Sequence, residues 1–82
     1  MKIKNIERVL NQILFPSFKW LQDVSINLGS PGKTKYRLTF YYSPSHILTG
    51  NDRNEIIQET ISLLKMLGED ERLYEIDFMG GF

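Results

Sequence analysis

An α+β fold is predicted: a two-layer sandwich with two helices on one face of a three-stranded, mostly antiparallel sheet. Three features of the sequence point to it. Apolar side chains recur at a helical spacing through Ile3, Ile6, Val9/Leu10 and Ile13/Leu14. The period then falls to two between Val24 and Tyr42. It returns to the helical value after Asp52, before a last alternating stretch at Tyr74, Ile76 and Phe78. The element order is α-β-β-α-β in a single domain spanning residues 1–82, with residues 79–82 read as a flexible tail.

The first helix has Asn5 as its N-cap and Glu7 in its first turn, and Pro16 stops it because proline lacks an N–H and restricts Phe15 before it. The connector from Ser17 to Leu21 carries Phe18, Trp20 and Leu21, enough apolar surface to pack back on the core. Val24, Ile26 and Leu28 then alternate with Asp23, Ser25 and Asn27. Ser30-Pro31-Gly32-Lys33 has proline and glycine at the two central positions of a type II turn. In the next strand Tyr36, Leu38, Phe40 and Tyr42 face one way and Lys35, Arg37, Thr39 and Tyr41 the other. Together these make a β-hairpin.

Ser43 to Leu48 reads as one helical turn, with Ser43 capping and Pro44 first, and Thr49-Gly50-Asn51 breaks it. Asp52 and Glu55 have capping-box spacing. The helix they open buries Ile56, Ile57, Thr60, Ile61, Leu64 and Leu67, and Gly68 ends it in the left-handed conformation. A strand with Tyr74, Ile76 and Phe78 inward and Glu75 and Asp77 outward completes the fold. The simplest topology places the first strand in the middle, antiparallel to both others. The far face of the sheet then carries Asp23, Ser25, Asn27, Lys35, Arg37, Thr39, Tyr41, Glu75 and Asp77.

Composition narrows the function classes. Hydrophobic residues make up 41% and charged residues 24% of 82, a balance that favours a folded chain over a disordered one. There is no cysteine, so no disulfide reinforces a small core, and oligomerisation is the other common aid. Apolar runs reach only three residues, so no membrane-spanning segment and no secretory leader are expected, and a cytoplasmic location is the reading. Net charge is zero, yet residues 1–37 hold seven basic and two acidic side chains (+5) and residues 38–82 hold three and eight (−5). If the halves lay apart in space the molecule would have a large dipole; interleaved strands would mix them. The chain has no alanine and is rich in Ile, Asn and Lys, the bias of AT-rich coding that small phage and mobile-element proteins often show.

Gly29-Ser30-Pro31-Gly32-Lys33-Thr34 looks like the end of a phosphate-binding loop, but that motif needs a glycine where Asn27 stands and a helix after the threonine. Alternation from Lys35 onward assigns the segment to a hairpin turn instead. His46 is the sole histidine, so no paired-histidine metal site can be built. Glu69-Asp70-Glu71 reads as a solvated run. No catalytic residue, metal, cofactor or small-molecule substrate is expected.

The segment Leu48-Thr49-Gly50-Asn51-Asp52-Arg53 through Ile56 resembles the core of a KH domain, with Gly50 at the first loop glycine and Arg53 in place of the second. The resemblance implies RNA or single-stranded DNA as ligand, held by the Gly50 loop. In the same reading Lys35, Arg37 and Tyr41 form a stacking and phosphate-neutralising face, extended by Lys2, Lys4, Arg8 and Lys19. The leading reading is different. Phe15, Phe18, Trp20, Ile47, Leu48, Met79 and Phe82 exceed what the periodic faces need. Trp20 is assigned to the core, and Ile47, Leu48, Met79 and Phe82 to a contact surface for a protein partner or a second copy. An open sheet edge at Lys35–Tyr42 offers a place to add a strand. The chain is therefore expected to be a small non-enzymatic protein-binding module: a subunit, adaptor or inhibitor.

Overall fold

The computed structural model describes residues 2–80. Helix α1 (Lys2–Ser17) is followed by strands β1 (Leu21–Leu28) and β2 (Tyr36–Tyr42), helix α2 (Gly50–Met66), a 3-10 turn (Glu71–Leu73) and strand β3 (Tyr74–Gly80). The fold is α+β, in the α-β-β-α-β order, with a three-stranded sheet. Ile6, Leu10 and Leu14 of α1 and Ile56, Leu63 and Leu64 of α2 share one core with Leu21, Val24, Ile26, Leu38, Phe40 and Tyr74 of the sheet. Phe18 and Trp20 pack against that core, edge to face with ring centroids 5.7 Å apart, so the short connector folds back as its apolar content predicts.

The strand order corrects the expected topology. β2, not β1, is central; β1 pairs with it antiparallel and β3 pairs with it parallel. The sheet is therefore mixed. Two properties of the sequence favour this outcome. A connection containing a 17-residue helix is long enough for a β-α-β crossover, which parallel neighbours require. β2 also suits burial from both sides: Leu38 and Phe40 are fully buried on the helix face, and Thr39 on the opposite face is only 4% exposed. β1 has Gln22, Asp23, Ser25 and Asn27, a composition for an edge.

Local details adjust the expected boundaries. α1 begins at Lys2, so Asn5 is an interior residue whose Oδ1 accepts from Arg8 Nη2 at 3.1 Å. Pro16 lies inside the last turn and the helix closes one residue later. In β1 a bulge between Leu21 and Asp23 resets the alternation, burying Leu21 and Val24 three apart. The hairpin turn is as predicted: Lys33 N–H donates to Ser30 O at 3.1 Å and Gly32 has φ +77°. Gly29 is required for a different reason. A Cβ there would lie 2.6 Å from the Thr34 carbonyl oxygen, so the two sides of the turn close only over glycine.

No helix forms between Ser43 and Leu48; His46 N–H donates to Ser43 O at 3.0 Å in an isolated turn. α2 starts earlier than Asp52. Thr49 is the N-cap, its hydroxyl accepting from Asp52 N–H at 3.0 Å while Asp52 Oδ2 accepts from Thr49 N–H at 3.2 Å. The capping box is thus Thr49–Asp52, one helical turn before the expected pair. Leu63 replaces Leu67 on the buried face, and Ile57 and Ile61 are only half-buried. At the other end Gly68 has φ +76°, and Glu69 N–H donates to Leu64 O at 2.8 Å, the Schellman closure its glycine predicts. Met79 and Gly80 belong to β3, in register with Tyr41 and Tyr42, so the assigned tail is strand at these positions. Gly81 and Phe82 lie outside the described residues.

Candidate partner-binding site

The two edges of the sheet differ in kind. Along the middle of β1 three outward backbone groups, Val24 N–H, Val24 C=O and Ile26 N–H, are taken by side chains of α1. Asn11 uses its amide as a strand would: Oδ1 accepts from Val24 N–H at 3.1 Å and Nδ2 donates to Val24 O at 3.0 Å. One helical turn earlier, Glu7 Oε2 accepts from Ile26 N–H at 2.8 Å. Asn11 Nδ2 also donates to Glu7 O at 2.9 Å, which fixes the amide orientation. A paired edge cannot add a strand.

Among the described residues no other element covers the β3 edge in this way. Two hydrogen bonds define which of its backbone groups face outward. Val24 N–H goes to Asn11, away from β2, so β2 bonds β1 through its odd-numbered residues and β3 through its even-numbered ones, and in the parallel register the odd-numbered residues of β3 face β2. Phe78 N–H is held by Asp77 Oδ1 at 3.0 Å, a local contact consistent with even-numbered residues facing away. Ile76, Phe78 and Gly80 therefore direct N–H and C=O to the open side. Phe78 anchors the strand from its other face, its ring 5.4 Å from Phe40 and 5.7 Å from the Arg53 guanidinium carbon. The edge expected at Lys35–Tyr42 is occupied on both sides because β2 is central.

The C-terminal ends of β2 and β3 and the start of β1 meet at one end of the sheet, where Leu21, Tyr42 and Gly80 stand in one row. Residues 43–49 leave from this end. His46 fixes them: its ring stacks on Trp20 at 5.4 Å and 11°, and its Nε2 lies 2.8 Å from Asp52 Oδ2. That contact and the Thr49 N–H hold the Asp52 carboxyl below its usual range. Beyond this anchor Ile47 is 85% exposed, Leu48 is half-buried, and Met79 is 49% exposed. Three of the four expected contact residues thus share one end of the fold, and the fourth, Phe82, lies outside the described residues.

The residues of the nucleic-acid reading do not converge. Arg37 Nε donates to Glu75 Oε1 at 2.8 Å and Ser30 Oγ bridges both groups, so the cation on the polar face is committed to an acid in the neighbouring strand. Arg37 first, and Ser30 after it, hold the Glu75 carboxyl low. Lys35 Nζ lies 5.6 Å over the Tyr36 ring, Tyr41 faces Asp23 and Met79 across the ladders, and Gly50 and Arg53 are already inside α2. The KH-like arrangement needs a helix before the Gly50 loop, and a strand and a turn stand there. The Arg37–Glu75 pair also joins the basic and acidic halves of the sequence, so their charges mix on the sheet.

The remaining acidic run is used internally. Glu69 Oε1 accepts from Tyr74 Oη at 2.9 Å, Asp70 caps the 3-10 turn and pairs with Arg72, and Glu71 lies 3.3 Å from Lys65. Among the described residues no group of three or more His, Asp or Glu is placed to hold a metal ion, and no helix is long and apolar enough to cross a membrane. A shallow apolar groove of about 400 Å³ runs along Asn11, Gln12, Phe15, Pro16 and Gln22, beside the β1 bulge.

Comparison with known families, curated proteins and solved structures finds no match. The site therefore rests on its geometry.

Acid titration provides a check on the ion pairs. Glu75, Asp52 and Asp70 have folded pKa values below their unfolded values of 4.5, 3.8 and 3.8. Their contribution to stability is complete above those values and is lost as pH falls through the lower folded ones. Urea midpoints should fall between pH 5 and about pH 2, and Arg37→Met should flatten the Glu75 part of that slope. Identical slopes in the two proteins would show that the pair contributes nothing. Tyr74 shifts the other way: burial first, then Glu69, raises its hydroxyl, so a further loss is expected above pH 10.

Proposed function

We propose that this chain is a small non-enzymatic protein-binding module that receives an extended segment along the β3 edge. The observation that carries the reading is the asymmetry of the sheet: α1 spends two polar side chains closing β1, whereas Ile76, Phe78 and Gly80 keep outward backbone groups. Strand addition draws affinity from those groups and specificity from alternate side chains. Met79, beside this edge, and Ile47, at the same end of the sheet, supply apolar surface. The sole histidine supports a structural role for the nearby loop, since it both stacks on Trp20 and contacts the capping Asp52.

Photoreactive side chains at position 79 and, as control, at Gln22 beside the closed edge test the reading. Irradiation in extract of the native host should give an adduct at 79 and none at 22, and the linked peptide should map to an extended segment. Equal labelling at both positions, or none at 79, would overturn it. Tight salt-dependent binding of a labelled oligonucleotide would favour the nucleic-acid reading in its place.

A further inference from the structure

We infer that the segment received by β3 is β3 of a second copy, paired antiparallel about a two-fold axis at Phe78; this rests on the edge reading above. Charge and backbone direction select the register. A two-fold centred on Glu75 or on Asp77 places each acid against its own copy, and one centred on Ile76 places Glu75 against the partner's Asp77. Like charges directly opposite are unfavourable. Moving the axis to Met79 leaves only Phe78 to Gly80 paired within the described strand. Centring on Phe78 avoids both faults. It sets Phe78 against the partner's Phe78 and Ile76 against the partner's Gly80, all residues whose N–H and C=O face outward, so they form the hydrogen-bonded pairs of an antiparallel ladder.

The side chains fit this register. On the helix face the half-buried Ile76 meets Gly80, where the Tyr42 hydroxyl lies 3.7 Å from the place of a Cβ, so the isoleucine faces the tyrosine end and no side chain at 80. On the polar face Asp77 lies opposite the partner's Met79, an uncharged neighbour. Phe78 N–H, now held by Asp77 Oδ1, exchanges that local acceptor for the partner's carbonyl. The result is one continuous six-stranded sheet closed at both outer ends by Asn11 and Glu7. A chain with net charge zero presents no overall repulsion to its copy.

Sedimentation equilibrium of the full chain tests the register through position 79. Wild type should approach twice 9.6 kDa with rising concentration. Met79→Lys places an ammonium opposite Asp77 at two symmetric points and should tighten the dimer on the order of 2- to 30-fold. Met79→Asp should weaken it by a comparable factor, with circular dichroism confirming that both variants stay folded. Weakening by both variants would mean that Met79 acts only as an apolar contact, and the register would be wrong. A monomer at all concentrations up to about 1 mM, a concentration at which even weak pairing registers, would overturn the dimer. An adduct at position 79 to a different protein would then leave the edge reading standing, and no adduct would remove both.

Discussion

Replacing Glu7 and Asn11 together by alanine is expected to convert a discrete species into open-ended assemblies. The two side chains satisfy Val24 N–H, Val24 C=O and Ile26 N–H, in buried residues of the edge strand. Without them Ile26 N–H and Val24 O lose their partners, at about 1–3 kcal/mol for each group left dry. Val24 N–H keeps one acceptor, Asp23 Oδ1 at 2.9 Å. A chain open at both sheet edges extends in both directions, as uncovered edges do. Light scattering should rise with concentration in the double variant and thioflavin fluorescence should follow. Asn11→Asp separates the causes: its carboxylate still accepts from Val24 N–H but donates to neither Val24 O nor Glu7 O. It should lose stability with little added assembly, because the edge remains occupied. A double variant as stable and as monodisperse as wild type would show that α1 does not guard β1.

The second large effect belongs to the core. Phe40→Ala should leave little folded protein at 37 °C. Phe40 is fully buried at the centre of β2, between Val24 and Phe78 in the ladder rows, with the Phe78 ring 5.4 Å away. Truncating such a phenylalanine costs about 3–5 kcal/mol in transfer and cavity terms. A domain of this size has about 4–12 kcal/mol in all, so the substitution removes a large share. Phe15→Ala, on a half-exposed ring at the rim of the α1 groove, serves as the comparison and should cost under about 1 kcal/mol. Equal thermal midpoints for the two variants would contradict the assignment of β2 as the central strand.

Periodicity conveys the layers of this fold but not their wiring. Ile6, Leu10 and Leu14 announce α1, and Leu38 and Phe40 announce β2, because burial on one face leaves a rhythm in the sequence. Strand order leaves no such rhythm: Val24, Ile26 and Leu28 alternate in the same way at an edge or in the middle. What distinguishes the two strands is the polar intervening set in β1 against Thr39 and Tyr41 in β2. The cap of α2 is ambiguous in sequence because Thr49 and Asp52 each begin a capping-box spacing, and only the reciprocal hydrogen bonds distinguish cap from third residue. Leu28 shows the limit of alternation, being 84% exposed at the last position of β1. Within the site, Ile47 and Met79 stood out as surplus apolar residues. The edge closure did not, because Glu7 and Asn11 look like any solvated pair four apart on a helix until β1 lies beside them.

Amide hydrogen exchange followed as a function of protein concentration tests the asymmetry of the two edges most directly. Val24 and Ile26 should be protected at every concentration, their partners being within the same chain. Ile76 and Gly80 should exchange quickly in dilute solution and become protected as concentration rises. Rapid exchange at Val24 and Ile26, or protection of Ile76 in the dilute monomer, would contradict a sheet closed at β1 and open at β3.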